Sequence, residues 1–252
     1  MLKSFAEGRF YGRTWGDAPP TVLALHGWRR DHRDFEAAFG APGVAHGTLA
    51  VDLPGFGATP PPAEAWGSVE YARALVPVLD EMSDGPVVVV GHSFGGRVAL
   101  RLAHLVPGRI ERLVFTGVPF LPRAGGPRRP APAFLLARRL HRMGLVGEAR
   151  MDALRDRYGS ADYRAATGIM RSVFVRLVAE TYADDLATLA VPATLVWGED
   201  DADVPLDVAR RAADLIGGAP LVVVPGVGHL LPIEAPGALL AEAAPGSTSL
   251  PA

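Results

Sequence analysis

Residues 91–95 read Gly91-His92-Ser93-Phe94-Gly95, a G-x-S-x-G pattern with Gly96 directly after it. They follow a short apolar run, 87–90, and lead into helical periodicity, so the serine is expected at the tip of a strand-to-helix turn. Such a tip forces strained backbone, and glycines flank it because a side chain there would collide with the neighbouring strand or helix. The turn also sets the serine at a helix N-terminus, where partial positive charge favours an oxyanion. A hydroxyl is a weak nucleophile and needs an adjacent base, itself held by a third group. Two later segments supply candidates. Pro225-Gly226-Val227-Gly228 carries an apolar run into His229, a loop able to swing an imidazole over a sheet edge, which makes His229 the expected general base. The run 194–197 ends in Gly198-Glu199-Asp200-Asp201-Ala202-Asp203, four carboxylates where one is required, and spacing alone does not choose among them.

These residues need a scaffold, and the pattern around them describes one. Apolar β-branched runs at 21–25, 48–52, 86–91, 110–116, 193–197 and 220–224 alternate with helical patterns at 69–82, 95–106, 206–216 and 233–243. Near-continuous apolar strands are what a sheet covered on both faces requires, so the fold class is α/β, a mostly parallel central sheet with helices on both faces. Residues 3–15 are expected to add an antiparallel pair at one edge. The alternation breaks after residue 118. The stretch 119–189 opens rich in Pro and Gly and continues as helix, and is expected to be an inserted helical cap between core segments 1–118 and 190–244. The end, 245–252, is small and polar with two prolines and is expected to fray.

Bulk properties bound the partners. With 252 residues, 49% of them hydrophobic, the chain can bury the core of one large domain. A net charge of -2 gives no overall reason to expect nucleic acid. The absence of cysteine excludes disulfides, thiolate metal sites and a cysteine nucleophile, and fits a reducing compartment, so the expected location is cytoplasmic. No run reaches the roughly 18 apolar residues of a membrane span, and 1–16 lacks the apolar core of a secretory leader. Nothing in the sequence sets an oligomeric state.

Together these residues resemble the α/β-hydrolase superfamily, over almost the whole chain outside 119–189. In that family the acid commonly lies three residues after a glycine, in a stretch similar to G-x-x-D-x-x-V-P, which Gly198, Asp201, Val204 and Pro205 match. The resemblance therefore implies a triad of Ser93, Asp201 and His229, with Glu199, Asp200 and Asp203 solvated or capping. Relatives that carry the acid after the sixth strand have it where this chain has Thr116 and Gly117, neither of which can serve. His26-Gly27-Trp28 resembles the family's H-G turn, which implies that the backbone N–H groups of Trp28 and Phe94 form an oxyanion hole, with His26 structural. Asp52, in Val51-Asp52-Leu53-Pro54-Gly55-Phe56-Gly57, matches a segment where the aspartate shapes the loop.

The resemblance implies a carboxylesterase-like serine hydrolase acting through an acyl-enzyme on Ser93, with no metal and no organic cofactor. A serine argues against the dehalogenases and epoxide hydrolases of this fold, which use an aspartate there. A carbon-carbon bond hydrolase or a perhydrolase with the same triad is the nearest alternative, and a ligand-binding member without turnover stands further off. The expected partner is a small ester or other acyl substrate, with Trp28, Phe94 and Phe120 in its pocket. Substrate choice should be written in the cap, whose apolar Phe120, Leu121, Phe134, Leu135, Leu136, Leu145, Met170 and Phe174 are candidates for its own core or a pocket wall. Residues 120–180 hold twelve arginines against five acids, about +7, leaving about -9 elsewhere. Such a segment could attract a carboxylate, a phosphate, an anionic carrier or a membrane surface, or be a solvated face.

Overall fold

The computed structural model describes residues 2–123, 132–158 and 161–246. Its centre is an eight-stranded sheet of β1 (Leu2–Phe5), β2 (Phe10–Trp15), β3 (Pro20–Leu25), β4 (Gly47–Asp52), β5 (Val87–His92), β6 (Ile110–Thr116), β7 (Ala193–Gly198) and β8 (Leu221–Val224). The spatial order is β1-β2-β4-β3-β5-β6-β7-β8. β1 and β2 form the expected antiparallel edge, β2 pairs antiparallel with β4, and every other pairing is parallel. The chain leaves β3 toward β4 on one side and returns to β5 on the other, the reversal that opens a crevice at the carboxyl ends of the strands.

The inner strands are largely apolar because each face has its own core. Leu23, Leu25, Val89, Leu113, Phe115 and Leu195 pack on one side against α2 (Ser68–Met82), α3 (Phe94–Leu105) and α9 (Leu206–Leu215). Val22, Ala24, Val88, Val90, Val114 and Val196 pack on the other against α1 (Glu36–Phe39) and α11 (Pro236–Ala243). A one-residue slip of any of these strands would exchange the two sets, so packing fixes the register.

Element boundaries depart from the sequence expectation in one informative place. The single helix expected over 233–243 is two, α10 (Leu231–Glu234) and α11, separated by Ala235 at φ -138°. Pro236 causes the break, since its ring excludes helical backbone from the residue before it.

Between β6 and β7 the chain forms α4 (Pro132–Arg142), α5 (Glu148–Tyr158), α6 (Ala161–Ala165), α7 (Gly168–Val178) and α8 (Ala183–Ala187). The last two are tied firmly to the core. Glu180 accepts from the Ser68 amide at 2.9 Å and its hydroxyl at 2.6 Å, and Arg97 of α3 donates to the carbonyls of Pro119 and Leu177 at 2.7 and 3.1 Å. Arg97 thereby clasps the start and the later part of the segment at once. At the far end of the chain Gly246 N–H bonds Glu111 at 2.9 Å, and the rest of the expected frayed tail, 247–252, lies outside the described residues.

Candidate active site

Ser93 sits where β5 becomes α3, at φ 50° and ψ -113°, a conformation that costs a non-glycine residue on the order of 1–3 kcal/mol. Its surroundings impose it. A methyl group on Gly91 would lie 2.5 Å from the Gly96 Cα, and one on Gly95 would lie 2.1 Å from the Leu25 carbonyl oxygen. α3 can therefore pack down on β3 and β5 only with glycine at these positions. The Ser93 amide donates to the Thr116 carbonyl at 2.9 Å, locking the turn to β6.

Two loops at the same end of the sheet join His229 to Asp201. The amides of Glu199 and Asp200 donate to the carbonyls of Val224 and Val227 at 3.0 and 2.9 Å, which knits the loop after β7 to the loop after β8. His229 Nδ1 then lies 2.9 Å from Asp201 Oδ2, while Oδ1 accepts the amides of Asp203 and Val204 at 2.9 and 2.7 Å. A carboxylate so placed can only accept, so a neutral His229 carries its proton on Nδ1 and keeps the Nε2 lone pair free. Asp201 is buried, whereas Glu199, Asp200 and Asp203 are exposed. The rings of His229 and His92 stand 4.9 Å apart, and a methyl on Gly117 would meet His229 Cε1 at 2.9 Å. His229 thus lies beside the residue that precedes Ser93. Burial, then the neighbouring His229, push His92 down to about 3, so its imidazole is neutral.

The third part is the turn after β3. His26 is buried, with Nδ1 at 2.7 Å from the Gly27 oxygen and Nε2 accepting the Leu53 amide at 2.9 Å. That pair of bonds fixes the tautomer with the proton on Nδ1, and burial lowers the His26 pKa. The Gly27 oxygen also accepts the Arg30 amide at 3.2 Å. Because the C=O and N–H of a trans peptide point in opposite directions, these bonds turn the Trp28 N–H away from the core side. A methyl on Gly27 would lie 3.4 Å from the Ser93 Cβ, so the turn abuts the serine. Phe94, first residue of α3, has no acceptor one turn earlier in its own helix.

Around this turn the indole of Trp28 contacts Phe56 at 4.9 Å, Phe94 at 5.6 Å and Phe174 of α7 at 5.1 Å between ring centroids. The Phe120 ring packs on Phe115 and Tyr182 and lines a cleft of about 890 Å³ that also includes Arg97, Arg123 and Asp203. Arg128 and Arg129 lie outside the described residues, as do the side chains of Phe134, Leu135 and Arg138.

Two features escaped sequence reasoning. Glu234 accepts the amides of Gly228 and Leu230 at 2.6 and 3.1 Å, stapling the His229 loop from both sides. The place of Phe56 in the aromatic cover over Trp28 is the other, whereas Phe174, which meets Trp28 from the far side of the sequence, was already a candidate for a pocket wall. Asp52 does serve loop shape, accepting His32 N, His32 Nδ1 and Ala58 N at 2.9, 2.8 and 2.8 Å. Asp31, His32 and Asp52 have ligand atoms within 4.8 Å of one another, but Asp31 is held by Arg33 and the other two by each other, so the group reads as a loop brace.

Known proteins share this arrangement of elements. Over 244 residues the chain is 29% identical to the 2-hydroxy-6-oxononadienedioate/2-hydroxy-6-oxononatrienedioate hydrolase of Cupriavidus pinatubonensis, covering 85% of this chain and 81% of that one. It is 41% identical to lipase LipV of Mycobacterium tuberculosis over 97 residues, 38% of this chain and 36% of that one. A serine hydrolase involved in carbazole degradation superposes with a TM-score of 0.70 at 20% identity, covering 96% of each chain. A profile of the alpha/beta hydrolase family matches residues 22–243. With sheet, strand-to-helix turn and the two knitted loops in place, the chain belongs to the alpha/beta hydrolase family.

Proposed function

We propose that the protein is a serine hydrolase that cleaves a carboxylic ester through an acyl-enzyme on Ser93. The observation that carries this reading is the His229–Asp201 bond, formed at the end of the sheet where Ser93 holds its strained backbone. In the proposed reaction, Ser93 Oγ attacks the substrate carbonyl carbon while His229 Nε2 takes the hydroxyl proton. The carbonyl π electrons move to oxygen, where the amides of Trp28 and Phe94 stabilise the negative charge, each donor contributing about 2.7–4 kcal/mol in comparable enzymes. Collapse expels the alkoxide, which leaves with the proton from His229. Water, deprotonated by His229, then releases the acid and restores Ser93. Asp201 orients the imidazole and stabilises its cation.

The residues 119–189 act in this reading as a cap, with Phe174 closing the pocket over Trp28 and Phe94. Phe120 lines a neighbouring cleft under the cap's root. The enclosure around Trp28 is aromatic, and the two arginines that follow it in the chain are paired with carboxylates, Arg30 with buried Asp34 at 2.7 Å and Arg29 with Asp162 at 3.6 Å. Such a wall suits an apolar acyl group. A second reading, carbon-carbon bond hydrolysis with the same triad, is favoured by a different observation. Relatives named for that activity match over 81–91% of this chain, while the lipase match covers 38%.

A para-nitrophenyl ester series from acetate to decanoate, with Ser93→Ala as control, tests the proposal. Turnover lost by at least 10³-fold in Ser93→Ala supports it. Labelling of Ser93 by a fluorophosphonate without turnover of any ester would move the substrate to the second reading, and absence of both would remove the nucleophile.

A further inference from the structure

We infer that the outer face of α4 and the turn after it dock on an anionic lipid surface. The helix divides its apolar residues between two faces. Ala137 is buried and Leu140 half-buried, and α4 packs mainly with α5, where Met151 is buried. Leu136 is 59% exposed, Met143 62% and Leu145 67%. Leu136, Arg139 and Met143 follow i, i+3, i+7 spacing, so they share one outward stripe.

The turn that presents Met143 and Leu145 is well built. The amides of Met143 and Leu145 donate to the Leu140 carbonyl at 3.1 and 2.9 Å, His141 Nδ1 bonds the Val146 oxygen at 2.7 Å, and Gly144 takes φ 74°. The exposure of these side chains is therefore a property of an ordered helix and turn. Leaving three large apolar side chains in water along one helix and the turn after it is unfavourable by itself, and a covering partner is what offsets it.

Charge identifies the partner's chemistry. From residue 123 to residue 147 the chain has six arginines and no aspartate or glutamate. Arg139 and Arg142 are exposed and have no ion-pair partner among the described residues. Apolar side chains flanked by free guanidinium groups on a short helix match the requirements of an interface-lying helix, whose apolar face enters the acyl boundary while cations meet anionic headgroups. No helix among the described residues is long and apolar enough to cross a membrane, so the attachment is peripheral.

The test is co-sedimentation of the full chain with vesicles of phosphatidylcholine alone or mixed equally with phosphatidylglycerol. Two variant sets accompany it, Leu136→Ser/Met143→Ser/Leu145→Ser and Arg139→Glu/Arg142→Glu, both on exposed positions and both checked for an unchanged Tm. Binding to the phosphatidylglycerol vesicles alone, reduced at least tenfold by either set, is the expected result, each lost arginine contributing on the order of fivefold. No binding to either vesicle overturns the inference, as does binding that neither set alters. A wild-type dimer by light scattering that the serine set makes monomeric, without vesicle binding, would instead assign the face to a second copy of this chain.

Discussion

Asparagine at position 201 keeps the shape of the side chain and removes one acceptor, and the local hydrogen bonds dictate how it must sit. Asp201 Oδ1 accepts two loop amides and Oδ2 faces His229 Nδ1. An asparagine oxygen in the Oδ1 place retains both loop bonds and turns its NH2 toward His229. The imidazole must then accept at Nδ1 and carry its proton on Nε2, where it can no longer take one from a serine. The opposite orientation would set the NH2 against two amide donors. Leaving the buried Val204 donor unpaired costs about 1–3 kcal/mol, with a smaller cost at the half-buried Asp203 amide, so at least about 1–3 kcal/mol opposes that flip. The wrong tautomer is therefore the expected state, and the equivalent change in a serine protease lowers kcat by about 10⁴, or about 5.4 kcal/mol of barrier. We expect Asp201→Asn to lose 10³–10⁴-fold in kcat on para-nitrophenyl butyrate with little change in KM, and exposed Asp200→Asn to stay within about threefold. Circular dichroism and Tm separate a chemical loss from a folding loss. Equal losses in the two variants, or Asp201→Asn retaining a tenth of wild-type activity, would refute the tautomer argument.

Other consequences follow from the same geometry. Ser93→Gly should relieve the left-handed strain and be more stable than Ser93→Ala by about 1 kcal/mol, a Tm difference of roughly 2–4 °C by calorimetry, with both inactive. His92 has a folded pKa of about 3 against 6.5 when free, so the unfolded chain binds the extra proton between these values and stability falls as pH drops from about 6.5 toward 3. Urea titrations should show a steeper loss in wild type than in His92→Asn, by up to about 1.4 kcal/mol per pH unit, and parallel curves would contradict it. Trp197 is fully buried and donates to the Val204 carbonyl at 2.9 Å, so Trp197→Ala should lose about 3–5 kcal/mol of stability, while Trp197→Phe should lose far less yet still loosen the Asp201 loop.

What the sequence made legible tracks how local the constraint is. The six main strands were readable within a residue or so, the inner five because burial on two faces leaves them few polar residues and β8 at the sheet edge because its run is all β-branched or Leu. The Ser93 turn was readable because its close backbone approaches admit only glycine at Gly91 and Gly95. The acid was not readable from spacing, since the choice of Asp201 over its neighbours depends on backbone bonds between two loops. The break at Pro236 was available in the sequence and was overridden by apolar periodicity on both sides of it. Glu234 gave no signal, because a carboxylate that staples a loop looks the same as one on a solvated helix.

The division of labour between sheet and helical segment follows from how each is anchored. β5 and β6 pair His92 with Thr116, and the Thr116 carbonyl receives both the Ser93 amide and His92 Nδ1, at 2.9 and 3.2 Å. Ser93 is therefore positioned by the most buried part of the molecule, where displacement would break sheet pairing. The helices after β6 hold to that core through Arg101, Arg176 and Glu180 at the α7–α8 end and through Arg97, which also holds Pro119 at the start of the segment, while α4 makes its main packing with α5. In the proposed reading, chemistry at Ser93 can thus stay fixed while α4 and α5 change sequence. Substitutions that alter which acyl groups are accepted should concentrate at Met170 and Phe174, where the helical segment meets Gly55 and Trp28.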